Sequence, residues 1–362
     1  MNDQTKSEER RNSSIEFLRI VAMLLIVLHH AFFWGDVEAP AEGGLDSVLY
    51  GMGMFAGQIG VIAFFMITGY YMVTQKFTVR KLIRMLLEIW FFSWCILLVD
   101  AIFGDPSIFT IRACLFPMIA CHWWFVDTYI ALMILSPFIN LVLNSIGPRR
   151  HLLIIFVMFF MTYVGYVMEE RARYVAAFGT ALTVYALAAY VRKYPSGITE
   201  NRMTGPVLLA SVLIADVIVL YSTSISMDQQ SFTGLVDSMY QMMSLNELLA
   251  GVGLFLTFKN LRCSYHPIVN SIAASTFAVY LIHESMPVKH VLWSDWLDMD
   301  EMFVEPLFVP YVVVCTLAVF LICVVIDKMR MWLIFRPLEG RIDRLTQKVE
   351  ALIRKYDDRA ET

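Results

Sequence analysis

Long apolar runs separated by short polar stretches dominate this chain. A run of about 18 or more mostly apolar residues is long enough for a helix to cross the hydrocarbon core of a bilayer. Runs of this kind predict ten transmembrane helices, approximately at 15–34, 47–74, 84–104, 124–145, 151–168, 174–192, 206–224, 239–258, 268–287 and 305–333. The pattern therefore predicts an all-α integral membrane protein, built as a bundle of about ten transmembrane helices.

The amino-acid composition agrees with this prediction and argues against an ordinary soluble domain. Of the 362 residues, 58% are hydrophobic and only 17% are charged, whereas soluble domains carry about 25% charged residues. The formal net charge of −4 gives no reason to expect a nucleic-acid partner. We divide the chain into an N-terminal tail at 1–14, one transmembrane domain at 15–333 and a C-terminal tail at 334–362.

Lysine and arginine residues are distributed unevenly between alternate connections. One set of connections, which includes both terminal tails, holds 23 of the 28 lysine and arginine residues. The other set holds four, and Arg19 lies inside the first apolar run. Because connections rich in these residues face the cytoplasm, the asymmetry predicts that both termini are cytoplasmic. We expect a multi-pass protein of a bacterial cytoplasmic membrane.

Two ionisable residues of the first run share one face of the predicted helix. Arg19 and His30 are eleven positions apart, which is three helical turns plus about 20° and about 16 Å along the axis. Ionisable residues at such depth usually face a cavity and mark a functional path. The charge pattern places Arg19 near the cytoplasm and His30 nearer the outside. The alternatives are that Arg19 extends to lipid headgroups and that His30 makes an ordinary interhelical hydrogen bond.

More charged residues accompany Arg19 on the predicted cytoplasmic side. Glu16 precedes Arg19 by three residues, and with Ser13 it also fits a capping box at the start of the helix. Three cations cluster where the third run begins: Arg80, Lys81 and Arg84. Together with Arg19 this cluster suits a phosphate-bearing ligand, and an ordinary cytoplasmic anchor is the alternative.

The ninth run ends with a histidine and a carboxylate on the predicted outer side. His283 and Glu284 follow the apolar segment T-F-A-V-Y-L-I. An outer imidazole with a neighbouring carboxylate can orient a second imidazole or bind a polar acceptor. The alternative is that His283 and Glu284 lie at the membrane interface and pair only with each other.

Several segments combine into one pattern along most of the chain. They are Arg19-x10-His30 with Glu16 before it, V-I-A-F-F-M-I-T-G-Y-Y at 61–71, Lys81-x-x-Arg84, H-W-W-F-V at 122–126, S-P-F at 136–138 and T-F-A-V-Y-L-I-H at 276–283. In combination they resemble the acyltransferase-3 family of membrane O-acyltransferases over roughly 15–333. The chain departs from that family's pattern at Thr68, where the family has serine, and at Lys81, where it has arginine.

The resemblance implies transfer of an acyl group, which we expect to be acetyl, from cytoplasmic acyl-CoA to a hydroxyl of an extracytoplasmic acceptor, which we expect to be an envelope glycan. The implied catalytic residues are His30, Glu16 and His283. The residues expected to hold the acyl-CoA are Arg19, Arg80, Lys81 and Arg84, and those expected to bind the acceptor are Trp124, Asp127 and Glu284. His30 then acts either as a general base or as an acylated intermediate, and no metal is expected.

A transporter or exporter of a small polar metabolite, such as an amino acid, is the alternative function. Polar residues inside the membrane also line transport paths, and such a protein needs no acyl-CoA. Binding of acyl-CoA therefore separates the two hypotheses.

The C-terminal tail carries an apolar stripe with heptad spacing. Its members are Phe335, Leu338, Ile342, Leu345, Val349, Leu352 and Tyr356. The spacing favours a parallel two-stranded coiled coil, and therefore a homodimer. An amphipathic helix that lies against the bundle or the inner leaflet is the alternative.

Two cysteines, Cys114 and Cys121, flank one short loop, and His122 follows directly. Either they form a disulfide or a metal site, or they are unpaired loop and core thiols.

Overall fold

The computed structural model describes residues 12–75, 77–118, 123–168, 173–239, 244–261 and 263–360. Within these ranges the chain is helical and contains no β-strand, which confirms the predicted all-α class. The α-helices are α1 Ser13–Phe33, α2 Leu45–Met72, α3 Val79–Phe103, α4 Ile108–Leu115, α5 Trp124–Ser145, α6 Pro148–Met168, α7 Arg173–Lys193, α8 Thr204–Ser224, α9 Gln229–Met239, α10 Leu245–Asn260, α11 Pro267–Ala273, α12 Thr276–His283, α13 Met286–His290, α14 Met299–Phe303, α15 Phe308–Arg330 and α16 Arg336–Ala360. Two π-helical segments, Val291–Trp296 and Met331–Phe335, follow α13 and α15.

Six helices in the described ranges are long and apolar enough to cross a membrane. They are α1, α2, α3, α5, α8 and a continuous helical stretch at Phe308–Ile353 that begins with α15. The chain is therefore a membrane protein, while the count of ten spans and the orientation of the termini stay predictions. The ninth predicted run is two short helices, α11 and α12, and α10 has only 16 residues, about 24 Å of helix.

The first helix starts differently from the predicted capping box. Asn12 occupies the N-cap, and its side chain accepts a hydrogen bond from the Ser14 backbone N–H at 3.0 Å. Ser13 lies inside the helix, where its hydroxyl donates to Oδ1 of Asn270 at 3.0 Å. The capping-box prediction was wrong, because asparagine is as strong an N-cap as serine and Asn12 precedes it. Glu16 is consequently not part of a cap.

The helices α1 and α2 pack closely at the centre of the bundle. A Cβ on Gly60 would meet the Ala22 carbonyl oxygen at 2.4 Å, and a Cβ on Gly57 would meet the His29 ring at 2.6 Å. Small residues allow this backbone approach, as is common between transmembrane helices. The close approach holds one side of α1 fixed next to the two histidines.

The pair α11 and α12 runs parallel to α1 on another side. Near their N-terminal ends Ser13 contacts Asn270, and near their C-terminal ends His30 contacts His283. These two contacts are about 25 Å apart along α1. Helix α12 also packs against α3 and α15. The arrangement brings the late histidine to the end of the first helix.

The last helices are joined to α3 by buried charges. Arg330 is 5% exposed, and its guanidinium lies 2.6 Å from Asp327 and 3.0 Å from Glu88 of α3. The same guanidinium lies over the rings of Phe92 and Phe335. This ionic contact fixes the point from which α16 leaves the bundle.

Helix α16 packs on α3 with part of its apolar stripe. Ile342 is 6% exposed, whereas Leu345 and Leu352 are 44% and 56% exposed. One edge of the apolar stripe is therefore buried against the rest of the chain, and the other edge is exposed. Pairing of two tails through the uncovered edge stays a prediction.

Candidate active site

Two histidines that are far apart in the sequence form the centre of the candidate site. His30, near the end of α1, and His283, the last residue of α12, are 8% and 0% exposed. Nδ1 of His30 and Nε2 of His283 are 2.9 Å apart, a hydrogen-bond distance. The neighbouring His29 points to another side, where its ring stacks on Phe33. His30 thus contacts α12 through His283, and the His29 ring packs on Phe33.

The hydrogen bonds determine which nitrogen of His30 is available. Nδ1 of His283 lies 2.6 Å from the Val279 carbonyl oxygen, which can only accept, so this nitrogen carries the proton. With both rings neutral, Nε2 of His283 is then the acceptor and Nδ1 of His30 the donor. The remaining nitrogen of His30, Nε2, consequently keeps its lone pair. The nitrogen of His30 that can accept a proton is therefore Nε2.

A carboxylate stands beside the same nitrogen of His30. Oε2 of Glu284 lies 3.2 Å from Nδ1 of His30 and accepts a hydrogen bond from the indole N–H of Trp34 at 2.7 Å. Its other oxygen lies 3.5 Å from Nζ of Lys289, which is 3.6 Å from the centre of the Trp34 ring. Glu284 is only 6% exposed. A buried carboxylate in this position stabilises positive charge on the His30 ring.

A tyrosine extends the cluster towards α5. The Tyr280 ring lies 6.4 Å from the His30 ring and 6.2 Å from the His283 ring, centre to centre. Its hydroxyl is within electrostatic reach of Glu284 and of Asp127 on α5. Trp124, the other predicted acceptor residue of α5, packs edge-on against Phe125, which contacts the Tyr280 ring. Of the three predicted acceptor residues, Glu284 thus contacts His30 directly and Asp127 lies near the Tyr280 hydroxyl, whereas the structure gives no contact between Trp124 and the two histidines.

Glu16, in contrast, lies at the opposite end of α1. Fourteen residues, about 21 Å of helix, separate it from His30. It is 6% exposed, and its carboxylate lies 3.8 Å from the Arg19 guanidinium. The structure therefore groups Glu16 with Arg19 and not with the histidines.

The predicted basic cluster forms ion pairs with another helix of the same chain. Arg80 lies 2.7 Å from Glu339 and 2.7 Å from Asp343 of α16, and Arg84 also pairs with Glu339. Nζ of Lys81 is 3.4 Å from the side-chain oxygen of Gln75. Carboxylates thus compensate two of the three cations, and the structure gives no contact between this cluster and Arg19.

Sequence reasoning missed Trp34, Tyr280 and Lys289. Trp34 follows His30 by four residues and Tyr280 precedes His283 by three, spacings that place each on the same helix face as its histidine. That spacing could have indicated both aromatic residues. Lys289 lies in a separate short helix, α13, and only the folded chain brings it to Glu284.

The described residues contain no group of three or more His, Cys, Asp and Glu side chains placed to hold a metal ion. Cys114 is a buried free thiol. Cys121 and His122 lie outside the described residues, as does the start of the H-W-W-F-V segment.

Comparison with known proteins bears on the activity of this site. The family model of acyltransferase-3, described as an acyltransferase domain, matches residues 12–328. The chain belongs to the acyltransferase-3 family. No curated protein and no solved structure matches it. The matched range contains the whole histidine cluster of this acyltransferase-3 protein and ends before α16. Family membership supports a membrane acyltransferase, and the matched domain contains the histidine pair in which Nε2 of His30 keeps its lone pair.

Proposed function

We propose that this protein is a membrane O-acyltransferase. It moves an acyl group, acetyl in the simplest case, from cytoplasmic acyl-CoA to a hydroxyl on an extracytoplasmic acceptor, an envelope glycan sugar. The single observation that carries the proposal is the chain of contacts from the Val279 carbonyl through His283 to His30, with Glu284 alongside. This chain supports a neutral His30 whose Nε2 accepts a proton.

The proposed reaction uses His30 first as a base and then as an acid. The acceptor oxygen attacks the thioester carbonyl carbon while Nε2 of His30 takes the hydroxyl proton. The C–O bond forms, the C–S bond breaks, and the proton passes from His30 to the departing sulfur. The products are the acyl ester and CoA thiol, and His30 returns to its neutral form.

Glu284 and His283 position the imidazole and compensate its transient charge. When His30 becomes an imidazolium, Glu284 is the nearest carboxylate, and both it and His283 accept from Nδ1. His283 determines the tautomer of His30. The Nδ1–H of His283 donates to the Val279 carbonyl, so Nε2 of His283 is the acceptor for Nδ1–H of His30. A route through an acyl-histidine uses the same nitrogen as a nucleophile, and it differs by a covalent intermediate on His30.

The donor side of the proposal rests on the cytoplasmic end of α1. Arg19 lies on the face of α1 that leads to His30, about 16 Å away along the axis. The phosphates of acyl-CoA would bind there, and the pantetheine arm would extend along α1 towards the imidazole. Arg80 and Arg84 could take part only by exchanging the carboxylates of α16 for phosphates.

The test is acyl transfer by the purified protein in lipid nanodiscs with radiolabelled acetyl-CoA, before and after His30→Gln. General acid–base catalysis typically contributes about 10²–10⁴-fold, so we expect the rate to fall by that order. The matched control is His29→Gln, the same substitution at the neighbouring buried histidine, whose ring packs on Phe33 and beside Gly57 of α2. Thermal unfolding of both variants shows whether they fold.

A folded His30→Gln variant that transfers acetyl at the wild-type rate would overturn the catalytic role. A wild-type protein that neither binds nor cleaves acetyl-CoA would overturn the acyltransferase function and favour the transport alternative. Acid quenching followed by mass spectrometry of the α1 peptide distinguishes the two chemical routes, because only the acyl-histidine route adds the acyl mass to His30.

A further inference from the structure

The cytoplasmic cations of this chain differ in whether a carboxylate already compensates them. Arg80 and Arg84 contact the acidic edge of α16, and Lys259 lies 2.7 Å from Glu200. A phosphate-bearing ligand gains most from a cation without a carboxylate partner, since the competing ion pair need not be broken. The cations to consider are therefore those near Arg19 that remain uncompensated.

Arg192, at the end of α7, meets this condition. In the part of the chain that the structure describes, no carboxylate lies within ion-pair distance of Arg192. One of its terminal nitrogens donates to the Tyr70 hydroxyl at 3.1 Å, and the guanidinium lies 4.8 Å from the centre of the Tyr70 ring. A guanidinium has five N–H donors in a planar fork. The tyrosine contact therefore orients this fork and leaves donors for a ligand.

Arg19 interacts electrostatically with the neighbouring tyrosine, Tyr71. Helix α2 packs against both α1 and α7, and its last turn carries Tyr70 and Tyr71. The Tyr71 hydroxyl is within electrostatic reach of Arg19 and of Arg192. Arg19 has its carboxylate neighbour at 3.8 Å, which is longer than a hydrogen bond. Arg192 thus contacts Tyr70, and Arg19 interacts electrostatically with the adjacent Tyr71, at the cytoplasmic end of the α1 face that carries His30.

We propose that Arg192 and Arg19 together bind the phosphates of the acyl donor at the Tyr70–Tyr71 turn, while Arg80 and Arg84 anchor α16. This inference rests on the proposed function. Two guanidinium forks suit the diphosphate of a CoA thioester, because each can contact two phosphate oxygens at once. This phosphate site lies at the Arg19 end of the α1 face that carries His30, so the thioester arm of the same ligand can extend along that face to the histidines.

The experiment measures CoA binding to the full-length protein in zwitterionic nanodiscs by calorimetry, with CoA and dephospho-CoA as probes. We expect Arg192→Gln to weaken CoA binding by about five- to ten-fold, the scale of a partly exposed charge-assisted contact. Arg192→Lys keeps the charge without the fork and should recover part of the affinity. Arg202→Gln, an exposed arginine in the next loop, is the matched control and should leave the affinity unchanged.

Kinetics add a second measurement. Arg192→Gln should raise KM for acetyl-CoA while kcat at saturation stays within about two-fold, since the residue is remote from the chemistry. The affinity loss should be equal for CoA and dephospho-CoA if Arg192 contacts the diphosphate, and absent for dephospho-CoA if it contacts the 3′-phosphate. Both patterns support phosphate binding by Arg192.

Three results would overturn the inference in distinguishable ways. If wild type binds CoA and Arg192→Gln binds it equally well, Arg192 is not a donor contact and the proposed function stands. If the variant loses only binding of anionic lipid vesicles, Arg192 is a headgroup contact. If wild type binds no CoA at all, the proposed function fails together with this inference.

Discussion

Replacing Glu284 by glutamine tests the electrostatic part of the site directly. The substitution Glu284→Gln keeps the shape of the side chain and removes its charge. Oε2 of Glu284 lies 3.2 Å from Nδ1 of His30, which is buried, and 2.7 Å from Nε1 of Trp34, which is partly buried. If His30 takes a proton during the reaction, the variant loses the carboxylate that stabilises the imidazolium.

The size of the effect follows from this distance. Two unit charges 3.2 Å apart attract by about 5 kcal/mol at an effective dielectric constant of about 20, which is an upper bound. Lys289, 3.5 Å from the other carboxylate oxygen, offsets part of this attraction. A hydrogen bond to a charged group contributes about 1.5–3 kcal/mol. We therefore expect kcat to fall by about 10- to 150-fold.

The assay is single-turnover acetyl transfer in nanodiscs under saturating acetyl-CoA. KM for acetyl-CoA should change by less than about two-fold, because Glu284 is at the far end of α1 from the donor cations. Glu301→Gln, the same substitution at an exposed glutamate in α14, should leave kcat unchanged. An unchanged kcat in a folded Glu284→Gln variant would refute the idea that the carboxylate stabilises charge on His30.

Two further predictions concern stability and assembly. Arg330→Met leaves the buried Asp327 and the partly buried Glu88 without their cation, so the free energy of unfolding in detergent should fall by about 3–5 kcal/mol. The double variant Arg330→Met/Asp327→Asn should recover part of that loss. Equal stability of wild type and the single variant would contradict a buried ion pair. Leu345→Cys tests whether two tails pair. Because the Leu345 side chain is 44% exposed, oxidation of this variant in native membranes should give a disulfide-linked dimer. If the introduced thiol reacts with maleimide but oxidation yields only monomer, pairing through this edge is excluded.

Local patterns in the sequence were sufficient for the helical class and for the shared face of Arg19 and His30. Both depend on helical periodicity, which connects residues a few positions apart and needs no partner. The same reasoning failed at the start of α1, where Ser13 and Asn12 are both good caps. The side chain of Ser13 is used instead by Asn270, 257 positions away.

The partners of each charged side chain were decided by the tertiary structure. The sequence grouped Arg80, Lys81 and Arg84 as a basic cluster for a phosphate-bearing ligand, but the return of α16 to α3 brings Glu339 to two of them. No spacing predicts that contact, because it depends on where the chain turns after α15.

By itself, the sequence determined that this protein is a membrane helix bundle and that a histidine lies on the same face as an arginine three turns below it. Only the tertiary structure decided what that histidine contacts. His283 and Glu284 come from 253 and 254 positions further along, and α12 carries them to His30 because it packs between α1, α3 and α15. The hydrogen bond from His283 to the Val279 carbonyl then determines which nitrogen of each ring carries the proton. Periodicity places a side chain on a face, whereas a hydrogen-bond partner depends on which helix covers that face.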